Sequence, residues 1–183
     1  MILRFKGTAV QIDFWFAAVL TFLLLFFPNG NAALCFVLCV LHEIGHLAAM
    51  TVFGSKPRKI QLGFFGMKIV ADNKLVSPIK EIIIAAAGPA VNLMLAVILY
   101  FLKRNEAEIL SLGLGLFNLM PVSMLDGGHI LLAVHKNRKA AKITDCVCCF
   151  LLLLFGIIIA FYTKRNFTVL IVSIYLLIGC VTG

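Results

Sequence analysis

Acidic residues are scarce in this chain, and so is charge of any sign. Eight carboxylates and sixteen Lys or Arg make only 13% of the 183 residues charged, whereas a soluble domain has about 25%. That shortage excludes an ordinary soluble fold. The 62% hydrophobic content and the mean hydropathy of +1.08 point instead to a membrane protein. Tryptophan occurs once against sixteen phenylalanines, which suits lipid-facing and bundle packing and says nothing about a cofactor. No loop-rich segment surrounds the six cysteines (Cys35, Cys39, Cys146, Cys148, Cys149 and Cys180). A disulfide framework needs such a segment, so they read as small apolar helix residues. The net charge of +8 is spread through short connectors, the pattern of a topology signal and not of a nucleic-acid face. No nucleic-acid partner is expected.

Six apolar runs emerge, at roughly 14–27, 32–53, 81–102, 107–134, 145–162 and 167–182. The expected fold is an all-α membrane protein, a polytopic bundle of about six transmembrane helices forming one domain over 1–183. The first run resembles a signal peptide, but Asp13 precedes it and no small-residue cleavage site ends it. It reads as a retained span, with 1–13 as an amphipathic lead-in. Given six spans, twelve of the sixteen basic residues fall on the side of the N-terminus, which predicts cytoplasmic N- and C-termini in the cell membrane. In the connector 54–80, the flanks of "GFFG" look like two short strands. A short membrane-associated β-hairpin over 59–70 is therefore expected.

The informative stretch is "LHEIGHLAAM" at 41–50, deep in an apolar run. Ionisable residues are costly there and mark function by default. His42 and His46 lie four apart, so a helix carries both imidazoles on one face, with Glu43 at a neighbouring angle. H-E-x-x-H on a helix is a zinc hydrolase signature. Catalytic zinc usually takes three protein ligands and keeps one position open. Of the eight acidic residues only Glu43 and Asp126 lie deep within a run. His42, His46 and Asp126 each sit ~10–17 Å from the same membrane face at 1.5 Å per helical residue, so the three can meet. Around Asp126, "NLMPVSMLDGG" holds Asn118, Pro121, Gly127 and Gly128, none suited to an unbroken helix. Irregular backbone at that depth is tolerated only beside a cavity or inside protein. Asn118 is placed to bond freed backbone groups or a substrate's backbone.

Taken in order, "HEIGH", "AAGPAVNL" (86–93) and "NLMPVSMLDGG" (118–128) resemble the site-2 protease family of intramembrane zinc metalloproteases, over about residues 5–135. The compact layout is similar to the bacterial branch that includes the sporulation protease acting on a membrane-tethered pro-sigma factor. The resemblance implies one Zn2+ per chain held by His42, His46 and Asp126, with Glu43 as catalytic acid/base. Asn92, Asn118 and Pro121 match motif positions bordering the active site. It implies hydrolysis of a peptide bond in or beside a transmembrane segment of a membrane-tethered regulatory protein of the sigma or anti-sigma type. The lipid bilayer and a regulatory membrane protein would be further partners. The chain departs from the pattern at Met124, where many members carry proline. Neither a PDZ insertion nor the nucleotide-sensing tail domain of the sporulation type is expected.

Alternatives stay open at this stage. His129, three residues past Asp126, shares its face and is a rival ligand. Cys35 and Cys39 lie on the histidines' stripe, and thiolates bind zinc well. A membrane zinc transporter or sensor would use the same three ligands without hydrolysing anything, but it has no need of Glu43.

Overall fold

The computed structural model describes residues 2–5, 8–12, 31–54, 57–63, 66–71, 77–135, 138–163 and 168–182. Six helices and four strands lie within these residues. In chain order the helices are α1 (Asn31–Val52), α2 (Pro78–Phe101), α3 (Asn105–Asn118), α4 (Asp126–Val134), α5 (Arg138–Thr163) and α6 (Thr168–Thr182). The strands are β1 (Ile2–Phe5), β2 (Thr8–Ile12), β3 (Pro57–Gly63) and β4 (Gly66–Ala71). The expected first span, 14–27, lies outside the described residues.

Three helical segments, Ala33–Val52, Pro78–Phe101 and Arg138–Thr163, are long and apolar enough to cross a membrane. Their outward faces carry side chains that a soluble protein would bury. Val52, Phe101 and Phe161 are about as exposed as side chains become, at 80%, 76% and 80%. The interior holds His42, His46, Asn92, Ser111, Asp145 and Ser173. Apolar faces turned outward, with the polar groups kept inside among buried apolar side chains, are the arrangement lipid demands.

The expected fourth span, 107–134, is not one helix. α3 ends at Asn118 and α4 begins at Asp126, with irregular backbone between them. Pro121 has no N–H to give a helix, and short turns replace the ladder. The Val122 amide donates to the Met120 carbonyl at 2.7 Å, and the Leu125 amide to the Val122 carbonyl at 2.8 Å. Gly127 and Gly128 fit beneath this bend, where an added Cβ would fall on the carbonyls of Leu119 and Val122.

The lead-in differs from expectation. Residues 2–5 and 8–12 are strands, and together with β3 and β4 they form one four-stranded sheet in the order β1-β2-β3-β4. Alternation and β-branching in "TAVQI" favour a strand over an amphipathic lead-in. β1 and β2 pair antiparallel, with Ile2 opposite Gln11. β2 runs parallel to β3, with Ala9 opposite Lys59. β3 and β4 are antiparallel from Pro57 and Ala71 to Gly63 and Gly66. The connector is thus half of a larger sheet and not an isolated hairpin.

α1 and α2 approach closely where Gly45 faces α2. A Cβ at Gly45 would lie 2.8 Å from both the Ala87 carbonyl oxygen and Val91 Cγ2, so small residues set the helix separation here. Gly45→Val should force the helices apart at a cost of about 1–3 kcal/mol. A lowered thermal midpoint of the detergent-solubilised protein would show it, and an unchanged midpoint would count against this packing.

Candidate metal centre

α1 carries His42 and His46 one turn apart, and the N-terminus of α4 carries Asp126. The fold brings the three together across 84 residues of chain. Asp126 Oδ2 lies 3.0 Å from His42 Nε2 and 3.3 Å from His46 Nε2, and the two Nε2 atoms are 3.1 Å apart. Both histidines are buried and Asp126 is half-buried. A tetrahedral zinc site with nitrogen and oxygen ligands at about 2.0–2.1 Å has edges of about 3.3–3.4 Å. The triangle therefore has the size of one face of such a site.

Neighbouring groups orient the rings. The Nδ1–H of His46 donates to the Ile84 carbonyl of α2 at 2.8 Å, which turns the lone pair of Nε2 toward Asp126. His42 Nδ1 lies 3.1 Å from Asn92 Nδ2, while Asn92 Oδ1 is buried without a hydrogen-bond partner. Turning that amide over puts Oδ1 on a His42 Nδ1–H and frees the Nε2 lone pair. Two facing imidazole lone pairs and a carboxylate oxygen require a cation or a shared proton between them. The donor chemistry and the orphaned amide oxygen both fit a divalent metal.

α2 is shaped to receive these rings. An added Cβ at Gly88 would fall on His46 Nε2 and lie 2.7 Å from His42 Nε2. The next residue, Pro89, gives the helix no N–H. Ser111 of α3 donates to the Asn92 main-chain carbonyl at 2.8 Å, and both residues are fully buried. Asp126 is the first residue of α4 and follows Leu125 in extended conformation. A carboxylate at a helix N-terminus is favoured by the free N–H groups there.

The remaining sequence candidates separate clearly. Glu43 is half-buried and within electrostatic reach of His42, His46 and Asp126. The Asn118 amide donates to its own helix, at the Leu114 carbonyl 3.0 Å away. Pro121 lies in the bend, half-buried. His129 faces outward and is not gathered with the triad. Cys35 and Cys39 interact with each other one turn above the histidines, also apart from the triad. Sequence reasoning missed Gly88, Ser111 and the Ile84 carbonyl. A glycine four residues before the motif asparagine was the one available signal; a backbone carbonyl leaves none.

Comparison with known proteins finds several likenesses. Residues 104–161 match the model of Peptidase family M50. The chain is 29% identical over 165 residues to a zinc metalloprotease of Methanocaldococcus jannaschii, covering 80% of this chain and 47% of that protein. It is 30% identical over 114 residues to Protease RseP of Photorhabdus luminescens, covering 59% of this chain and 47% of that protein. The chain thus spans about half the length of these relatives. In fold it is similar to the solved site-2 protease from Methanocaldococcus jannaschii, with a TM-score of 0.68 at 24% identity. That match covers 100% of this chain and 94% of the other.

Substituting Asn92 by Ala should lower metal affinity by about 10–100-fold, the usual cost of losing a group that orients a ligand. Competition with a chromophoric chelator measures it. Helix content by circular dichroism should stay unchanged, and unaltered affinity would remove Asn92 from the metal centre.

Proposed function

We propose that this chain, similar in fold to a site-2 protease and in sequence to zinc metalloproteases, is an intramembrane zinc-dependent endopeptidase. The observation that carries the reading is the convergence of His42, His46 and Asp126 inside an apolar helix bundle, beside Glu43. In this reading the three side chains hold one Zn2+, which when bound lowers the pKa of a water and polarises a carbonyl. Glu43 takes a proton from the attacking water and returns it to the leaving amine. Asn92 and the Ile84 carbonyl keep the two imidazoles aimed, and Asp126 keeps its oxygen between them. In this reading the irregular backbone at 119–125, beside Asp126, is where water and an unwound substrate would enter. Asn118 ends α3 just before that stretch, and Pro121 lies within it.

The substrate in this reading is a membrane-tethered regulatory protein, cut within or next to its transmembrane segment. A helix hides its carbonyls in its own hydrogen bonds, so the segment must first be extended. The edge of the sheet offers a partner for such a strand by β-addition. In this reading both termini and the sheet lie on the cytoplasmic side, which the bias of the basic connectors supports.

Replacing Glu43 by Gln should retain the metal and lower cleavage by about 10²–10⁴-fold, the contribution of a general acid–base group. Quantitative terminal-peptide proteomics of membranes, wild type against Glu43→Gln, reads the loss directly. A fragment ending within or beside a span and present only in the wild type identifies the substrate. Identical profiles from metal-loaded protein would move the function to metal transport or sensing. Strong helix formers placed at the mapped cleavage site should slow the cut; an unaffected rate would remove the unwinding step.

A further inference from the structure

A second cluster of metal-ligating side chains lies away from the histidines, between α5 and α6. Asp145 and Cys149 sit four apart on α5, and Cys180 faces them from α6. Their ligand atoms all lie within 4.8 Å of one another. All three are buried, at 6%, 0% and 2% exposure. Cys149 Sγ is 3.6 Å from Asp145 Oδ1. Cys146, which forms a C-x-x-C pair with Cys149, is half-buried and has its Sγ 2.8 Å from Cys180 Sγ.

We infer that Asp145, Cys149 and Cys180 form a second metal site, for a thiophilic divalent cation of the zinc class. In a tetrahedral zinc site, thiolates at about 2.3 Å and a carboxylate oxygen at about 2.0–2.2 Å stand about 3.6 Å apart. The Cys149–Asp145 separation has that value already. Two thiols and a carboxylate, all buried, offer a sulfur-rich donor set unlike that of the His-His-Asp centre. Packing alone gives no reason for a carboxylate here, because a buried carboxylate is costly unless a cation or donors compensate it. Two donors are visible, both on Asp145 Oδ1: the Ser123 amide at 3.2 Å and the weakly donating Cys149 thiol at 3.6 Å. A carboxylate keeps further lone pairs for a cation. Asp145 lies ~10 Å along α5 from Arg138, the start of the helix, at 1.5 Å per residue.

The location gives the site a consequence. Ser123 belongs to the bend that presents Asp126, and Val122 of the same bend packs in one core cluster with Cys149, Leu176 and Cys180. A metal at this cluster fixes α5, α6 and the bend to one another, so its loss loosens the segment that carries Asp126. The inference stands whether or not the protein is a protease.

Cobalt(II) titration of the full chain tests it, in detergent, under reducing conditions and after chelator stripping. Two equivalents should bind, and one should give the thiolate-to-cobalt charge-transfer absorption that a His-His-Asp site cannot produce. Cys149→Ser with Cys180→Ser should remove that band and one equivalent. His42→Ala with His46→Ala should remove the other equivalent and keep the band. Cys35→Ser with Cys39→Ser leaves the cluster untouched and should also keep it, which keeps the test decisive if the first pair fails to fold. Absence of the band in the wild type overturns the site. So does a band lost only with Cys35 and Cys39, or a Cys146–Cys180 disulfide that survives reduction and excludes metal.

Discussion

One oxygen atom, Oδ2 of Asp126, meets both imidazoles of α1, at 3.0 and 3.3 Å. Much of the surrounding architecture is what that meeting requires. An aspartate in mid-helix would present its carboxylate from a continuous wall; here the helix is interrupted so that Asp126 starts a new one. The interruption needs Pro121 to stop α3. It also needs Gly127 and Gly128 to let α4 begin against the backbone of the bend it has just left. On the opposite side α2 must come close enough to orient two rings, which explains the lack of side chains at Gly45 and Gly88.

Burying polar groups inside a bundle that already sits in lipid carries a double cost, since neither lipid nor water satisfies them. The chain meets much of it by pairing polar groups across elements. His46 uses the Ile84 carbonyl, Asn92 reaches His42, Ser111 takes the Asn92 carbonyl, and Asp145 takes the Ser123 amide. Among the described residues the buried side-chain atom left over is Asn92 Oδ1, and it lies against the ring whose tautomer decides whether Nε2 can accept a cation. The one unsatisfied group therefore lies at the candidate metal centre, where an arriving metal would reverse the amide and complete the network.

Helical periodicity made the pairing of His42 with His46 legible from sequence, because four residues is a turn. Counting depth from the membrane face selected Asp126 among eight carboxylates, since bilayer thickness leaves few residues at any one level. The break near Pro121 and the two glycines was readable for the same reason that it forms. Other features carry no such signal. The Ile84 carbonyl belongs to no residue type, and Gly88 matters only because of what faces it in space. Asp145 looked like a residue at the edge of an apolar run, yet α5 begins seven positions earlier, at Arg138, and buries it. The strands at 2–5 and 8–12 were missed because, beyond their own pairing, they join the sheet through β3, which follows only after a long excursion of the chain.

The bend at 119–125 is where the two halves of the molecule depend on each other. One of its ends carries Asp126 to the histidines of α1. Its middle is held by α5 and α6, through the Ser123 amide on Asp145 and Val122 among Cys149, Leu176 and Cys180. A segment without its own helical ladder takes its shape from what grips it. The position of Asp126 is therefore set as much by α5 and α6 as by the helix it begins. A change at Asp145, Cys149 or Cys180 would be felt at the histidines without touching them, because the bend between them has no independent rigidity to absorb it.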